Sequence, residues 1–83
     1  MMTLSDHQDS EHFSYARTWD EIEEMLYAAE RKQNYWVNTF FEARERNNRT
    51  VMKEAARNKK ALEGVIKTLR WTLGDKNVTH PLE

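Results

Sequence analysis

Apolar residues recur at spacings of three and four along two long stretches of this chain. Such spacing places side chains on one face of an α-helix, with a single polar interruption in each stretch. The first seam is Trp19, Ile22, Leu26, Ala29, Gln33, Trp36, Phe40 and Ala43, and the second is Met52, Ala55, Lys59, Leu62, Ile66, Leu69 and Leu73. The pattern predicts one helix over residues 18–46 and a second over residues 50–73.

Capping residues stand at the ends of both predicted helices. Thr18 and Glu21 have the spacing of a capping box, in which each side chain accepts a hydrogen bond from the other residue's backbone N–H. Asn47 and Asn48 interrupt the apolar pattern and favour a turn. Gly74 follows the second seam, at the position where a left-handed C-cap is expected. A short turn therefore joins the two helices.

The two seams are complementary when the chain folds back at residues 47–48. Positions whose numbers sum to 95 then face each other, so that Leu26 meets Leu69 and Ala29 meets Ile66. Every seam position from 22 to 43 finds a seam partner in this register. We therefore expect an all-α fold, a long antiparallel helical hairpin with flexible tails.

The chain is short enough to form one domain only. Residues 1–12 are polar and acidic without an apolar period, which predicts a disordered tail. Residues 13–74 form the hairpin in this interpretation, with Phe13 and Tyr15 anchoring the preceding tail onto it. Residues 75–83 form a C-terminal tail.

Two helices cannot enclose a core, and the chain has more large apolar residues than one seam uses. Met25, Val37, Phe41 and Val65 lie beside the seams on a helical wheel. We expect a homo-oligomer that completes a helical bundle, or tails that cover part of this surface. The residues predicted to form the core of the hairpin or oligomer are Trp19, Ile22, Leu26, Gln33, Trp36, Phe40, Leu62, Ile66, Leu69 and Leu73. The polar Gln33 would set register or oligomer state, or hydrogen-bond a ligand held between helices.

Charge is distributed unevenly although the net charge is −1. Residues 1–43 carry nine acids and three bases, whereas residues 44–70 carry three acids and nine bases. The simplest interpretation is that an acidic helix lies against a basic one.

Opposite its seam, the second helix carries a basic stripe that ends in a tryptophan. The stripe is Lys53, Arg57, Lys60, Gly64, Lys67 and Trp71, and Arg44, Arg46 and Arg49 extend it around the turn. It is a solvated face, a polyanion-binding surface on which Trp71 stacks on a base, or a contact with a protein partner. In the last case the predicted contact residues are Trp71, Gly64, Phe41, Tyr35 and Val37.

Candidate catalytic groups are sparse along this sequence. It has no cysteine and no glycine-rich phosphate loop, and its three histidines, His7, His12 and His80, stand near the termini. Residues 6–12 include metal-ligand types, which we interpret as solvated side chains. We expect no enzymatic activity, no catalytic residues, no metal site and no cofactor.

The N-terminal sequence lacks the basic start and apolar stretch of a signal peptide, and no apolar run is long enough to span a membrane. These features favour a cytoplasmic protein without membrane contacts. The leading hypothesis is a small adaptor or inhibitor that binds another protein, of the kind that viruses and mobile elements encode as accessory proteins. The alternatives are binding of nucleic acid or a nucleotide by the basic stripe, and a structural oligomerisation module.

Overall fold

The computed structural model describes residues 16–83, which form two antiparallel helices, α1 (Trp19–Glu45) and α2 (Arg49–Thr72). The all-α helical hairpin predicted from the sequence is confirmed. The predicted bounds, 18–46 and 50–73, differ from the observed ones by one residue at each end. The predictions for the acidic tail over residues 1–12, for Phe13 and Tyr15, and for His7 and His12 lie outside the described residues.

The first helix begins at the predicted capping box. The Glu21 N–H donates to the Thr18 hydroxyl at 3.1 Å, and the Thr18 N–H donates to the Glu21 carboxylate at 2.9 Å. Both bonds satisfy backbone donors that have no partner within the helix. The charged carboxylate also lies at the positive end of the helix dipole. The start of α1 is therefore fixed by local chemistry alone.

The turn between the helices is a Schellman motif built on two asparagines. Asn47 has a positive φ of 57°, and the Asn48 N–H donates to the Ala43 carbonyl at 2.9 Å. Asparagine tolerates this left-handed backbone better than most residues do. The Asn48 side chain then caps α2 by accepting a hydrogen bond from the Val51 N–H at 3.2 Å. One dipeptide thus ends the first helix and begins the second.

The second helix ends in the same motif, with the glycine that the sequence predicted. Gly74 has a φ of 87°, and the Asp75 N–H donates to the Arg70 carbonyl at 2.9 Å. Beyond it the chain makes hydrogen-bonded turns, one of them closed by the Val78 N–H on the Asp75 carbonyl at 3.1 Å. The C-terminal tail therefore leaves the helix axis as soon as α2 ends.

The hairpin core is small and consists of apolar seam residues. The buried residues are Leu26, Ala29, Ala43, Ala55 and Ile66. The half-buried Leu62, Leu69 and Leu73 pack against the cluster of Leu26, Ala29 and Ile66. The grouping of leucines from α2 around α1 agrees with the predicted register. Buried alanines near the turn let the two backbones approach closely there.

Besides Lys59, Trp19 is the seam residue that stays exposed. It belongs to the first turn of α1 and is 65% exposed. In the register of the hairpin it lies level with residue 76, but α2 ends at Thr72. The apolar spacing placed Trp19 on the correct face of α1, yet no helical residue of α2 reaches its level.

The hairpin places an acidic helix beside a basic one, since α1 carries seven acids and three bases and α2 carries seven bases and two acids. Within residues 16–83 a single ion pair joins the two helices, between Glu30 and Arg70. The acidic residues of α1 lie at the open end of the hairpin, whereas most bases of α2 lie at the turn. The charge therefore differs between the two helices and is also separated along the long axis of the hairpin.

Candidate protein-binding surfaces

A groove flanked by an exposed phenylalanine runs between the helices in the half of the hairpin nearer the turn. It encloses about 280 Å³ and is lined by Val37, Phe40, Phe41, Ala56, Lys59, Lys60 and Glu63. We call it the Phe41 groove. Its floor is apolar because the flanks of both seams meet there on one side of the hairpin.

Phe41 dominates the opening of this groove. Its side chain is 52% exposed, while the neighbouring Phe40 is half-buried in the seam. The two rings meet edge to face, with centroids 5.7 Å apart and planes at 85°. This arrangement is favoured between aromatic rings, so Phe40 holds Phe41 in place while Phe41 remains open to a partner.

A small charged network forms one rim of the Phe41 groove. The Glu63 carboxylate lies 3.8 Å from the Lys59 ammonium and 3.5 Å from the Lys60 ammonium. All three side chains are exposed, and surface pairs of this kind contribute little to stability. They give the groove an apolar floor with a polar edge, which is the usual composition of a protein-binding surface.

The opposite side of the hairpin carries few charges. Helical spacing brings Met25, Ala28, Trp36 and Thr39 of α1 together with Asn58, Ala61, Val65 and Thr72 of α2. We call this the Met25/Val65 face. Met25 is 58% exposed and Val65 is 43% exposed. Lys32, which lies between Ala28 and Trp36 along α1, is the charged residue of this face.

A wider depression of about 850 Å³ adjoins this face at the open end. Ile22, Met25, Ala28 and Leu69 line it together with Arg17, Glu21, Glu24, Tyr27 and Arg31. Its charged members are Arg17, which precedes α1, and Glu21, Glu24 and Arg31 of α1, so the depression reaches from the Met25/Val65 face around the first helix. It is shallow, because nothing opposes α1 on its outer side within the described residues.

The outer surface of α2 carries Trp71, which is 50% exposed. Gly64, one heptad earlier, has open space where a Cβ atom would lie, so no neighbouring backbone within the described hairpin requires a glycine there. Lys53, Arg57 and Lys60 are exposed, as the predicted stripe requires. Lys67, by contrast, is half-buried and lines a cavity between the helices.

The five residues predicted to bind a partner do not converge on one surface. Val37 and Phe41 lie together in the Phe41 groove. Trp71 and Gly64 lie on the outer side of α2, and Tyr35 lies on the outer side of α1, edge to face with Trp36 at 5.0 Å between centroids. Arg44, Arg46 and Arg49 are exposed around the turn, as predicted. The predicted site therefore divides into separate surfaces.

The sequence interpretation did not assign Ala56, Lys59 and Glu63 to a partner-binding site. Ala56 has a small side chain that contributes little to an apolar pattern, and Lys59 was assigned to the seam. Comparing the same-side flanks of the two helices in the predicted register would have found them. The groove can therefore be predicted only by considering both helices together, because neither helix alone indicates it.

Gln33, the polar seam residue of α1, lines a cavity of about 220 Å³ beside the tail. Ile66, Lys67 and Arg70 of α2 and Val78 of the tail line the same cavity. Val78 is half-buried, so the tail covers this part of the hairpin. The predicted role of Gln33 in register or oligomer state stays a prediction.

Glu21 is the described side chain whose titration is clearly shifted. The hydrogen bonds from the Thr18 backbone and hydroxyl lower the pKa of Glu21 below its ordinary value of 4.5, and Arg17 adds to this effect. The shift stems from helix capping. Residues 16–83 hold no group of three or more histidine, aspartate and glutamate side chains that could bind a metal ion.

The comparisons with known proteins leave the function open. No protein-family model, curated protein or solved structure matches this chain. Within the described part of the chain, neither helix is long and apolar enough to cross a lipid bilayer.

Proposed function

We propose that this chain is a non-enzymatic cytoplasmic binding protein, an adaptor or inhibitor, that holds another protein in the Phe41 groove. The observation that carries the proposal is the placement of Phe41, which stands half exposed beside an apolar groove between two helices. Aromatic residues in such positions contribute most of the binding energy in many protein interfaces.

The surroundings of Phe41 support a partner that presents an apolar side chain. Val37 and Ala56 supply an uncharged floor, and Lys60 and Glu63 stand at the edge. A ring inserted beside Phe41 would displace water from apolar surface on both molecules, which is favourable by about 25 cal/mol for each Å² buried. The charged edge would select the orientation of the partner.

The proposal is tested by affinity capture with the full chain and with matched variants. Phe41→Ala should weaken capture of a specific protein by about 30-fold or more, the effect of losing a hot-spot side chain. Tyr35→Ala is the control, because Tyr35 is equally exposed but lies outside the groove. Helicity should be unchanged in both variants.

The comparison between the two variants decides the outcome. Loss of the same captured protein from Phe41→Ala but not from Tyr35→Ala supports the Phe41 groove. Equal capture by wild type and Phe41→Ala contradicts it. Loss of helicity in Phe41→Ala would show that Phe41 is part of the core and would also contradict the proposal.

A second candidate function is the binding of a nucleic acid or nucleotide by the outer surface of α2. Trp71 is exposed and follows a row that includes Lys53, Arg57 and Lys60. A gel-shift titration at two salt concentrations tests it, since released counterions make such binding strongly salt-dependent. Glu63, beside Lys59 and Lys60, weakens the positive field there, so we rank this function second.

A further inference from the structure

The Met25/Val65 face is a second unpartnered surface, on the side of the hairpin opposite the Phe41 groove. We infer that it binds a second copy of this chain in antiparallel orientation, so that two hairpins form a four-helix bundle. The inference extends the proposed function, because it supplies the scaffold that presents two Phe41 grooves. It rests on different residues and can fail independently.

The composition of the face is the first argument for a second copy. Between residues 58 and 72 of α2 the members of the face are uncharged, and those between 25 and 39 of α1 include one charge, Lys32. By contrast, Lys59, Lys60 and Glu63 line the Phe41 groove. Interfaces between identical subunits are more apolar and carry fewer charges than other protein surfaces.

The size of the face determines what else the interface requires. Its low-charge residues span 25–39 of α1 and 58–72 of α2, a length of roughly 22 Å at 1.5 Å per residue. Two helices packed about 8–10 Å apart make it about 20 Å wide. The product is about 450 Å² on each copy, so contacts at the two ends of the hairpin must supply the rest of the roughly 800 Å² that a standard stable interface buries per partner.

Charge separation along the hairpin selects the orientation. The acidic end, residues 16–32 and 63–83, holds eight acids and six bases, with Asp20, Glu21, Glu23 and Glu24 grouped in the first turns of α1. The basic end, residues 44–60, holds seven bases and two acids. A parallel dimer would bring like ends together, whereas an antiparallel dimer places each acidic end beside the basic end of the partner.

These charges are available for such contacts because the hairpin does not neutralise them internally. Among the described residues, Asp20, Glu23 and Glu24 lie in no ion pair. The same holds for Arg44, Lys53 and Arg57 at the other end. The molecule that matches this distribution of charge, on a surface of the same length and composition, is the chain itself.

Sedimentation equilibrium of the full chain tests the inference. Wild type should have twice the chain mass of 10.0 kDa. Val65→Glu and Ala28→Glu should each weaken the dimer about 100-fold or more, because symmetry buries two unpaired carboxylates. Phe41→Glu is the matched control in the groove and should leave the dimer intact. Glu is a good helix former, so an effect of Ala28→Glu is not explained by loss of α1.

Salt tests the orientation separately. Raising ionic strength from about 0.1 M to about 1 M shortens the screening length from about 10 Å to about 3 Å. The antiparallel dimer should weaken over this range, and the double variant Glu23→Gln/Glu24→Gln should flatten the response. A dimer that tightens with salt would overturn the orientation.

Two results would overturn the inference as a whole. One is a chain that stays monomeric at high micromolar concentration. The other is a dimer that is unaffected by both Val65→Glu and Ala28→Glu. Neither result bears on the Phe41 groove, whose test compares capture by Phe41→Ala and Tyr35→Ala.

Discussion

Individual polar residues fix where the helices of this hairpin start and stop. Thr18 caps α1 and Asn48 caps α2, each by accepting a hydrogen bond from the backbone N–H three residues later. Asn47 and Gly74 end the helices with positive φ angles. These interactions are local in sequence, which is why the boundaries could be predicted to within one residue.

The Thr18 cap should contribute measurably to stability. Thr18→Ala removes the hydroxyl that accepts from the Glu21 N–H and should lower the free energy of unfolding by about 1 kcal/mol. Thr50→Ala is the control, because Thr50 is exposed in the first turn of α2 and does not cap it. Urea denaturation followed by circular dichroism measures both. Equal stability of the two variants would contradict the assigned role of Thr18.

Glu21 should make the start of α1 sensitive to acid. Its pKa is lower in the folded chain than in the unfolded chain, so its contribution is present above its ordinary pKa of 4.5. That contribution is lost as pH falls through the lower folded value. Glu21→Gln keeps the capping geometry without a titrating group, so the stability of wild type relative to this variant should fall as pH drops below about 4.5. Parallel pH profiles of the two proteins would contradict this account.

At the scale of helices, the two glycines have different backbone conformations, one left-handed and one helical. Gly74 has a φ of 87° and ends α2, whereas Gly64 lies within the helix with open space around it. An added methyl group should therefore have opposite effects at the two positions. Gly64→Ala should stabilise the chain by about 1 kcal/mol, and Gly74→Ala should destabilise it by about 1 kcal/mol.

Thermal denaturation of the two glycine variants checks this prediction. A loss of stability in Gly64→Ala would mean that another backbone lies close to Gly64, in an oligomer of this chain. Such a loss should then depend on protein concentration, and dilution would distinguish it from a local effect.

The hairpin was predictable from the sequence because its seams pair in one register. Leu26, Ala29 and Ile66 form the core cluster that the pairing requires. Trp19 stays exposed in the single chain, which apolar periodicity could not predict because it does not indicate where the partner helix ends. The Phe41 groove was missed in part for a related reason, since Ala56 and Glu63 acquire their role from the neighbouring helix.

At the scale of the whole molecule, acidic residues gather at the open end of the hairpin and basic residues gather near the turn. Its two sides also differ, since one carries the Phe41 groove and the other the Met25/Val65 face. Counting charges by sequence segment predicted an acidic helix beside a basic one but not the separation along the axis, because such a count ignores the level of each residue. Glu30 and Arg70 are the pair that joins the helices within the described residues. The other charges stay separated, and this separation favours an antiparallel association of two chains.

Site-specific photo-crosslinking from position 41 is the most direct test of the central claim, that the groove beside Phe41 holds another protein. A photoreactive phenylalanine analogue replaces Phe41 in the full chain, and Tyr35 in a control, in cells that naturally contain the protein. We predict a crosslinked product with a different protein from position 41 and none from position 35. Equal products from both positions, or none from position 41, would contradict the account.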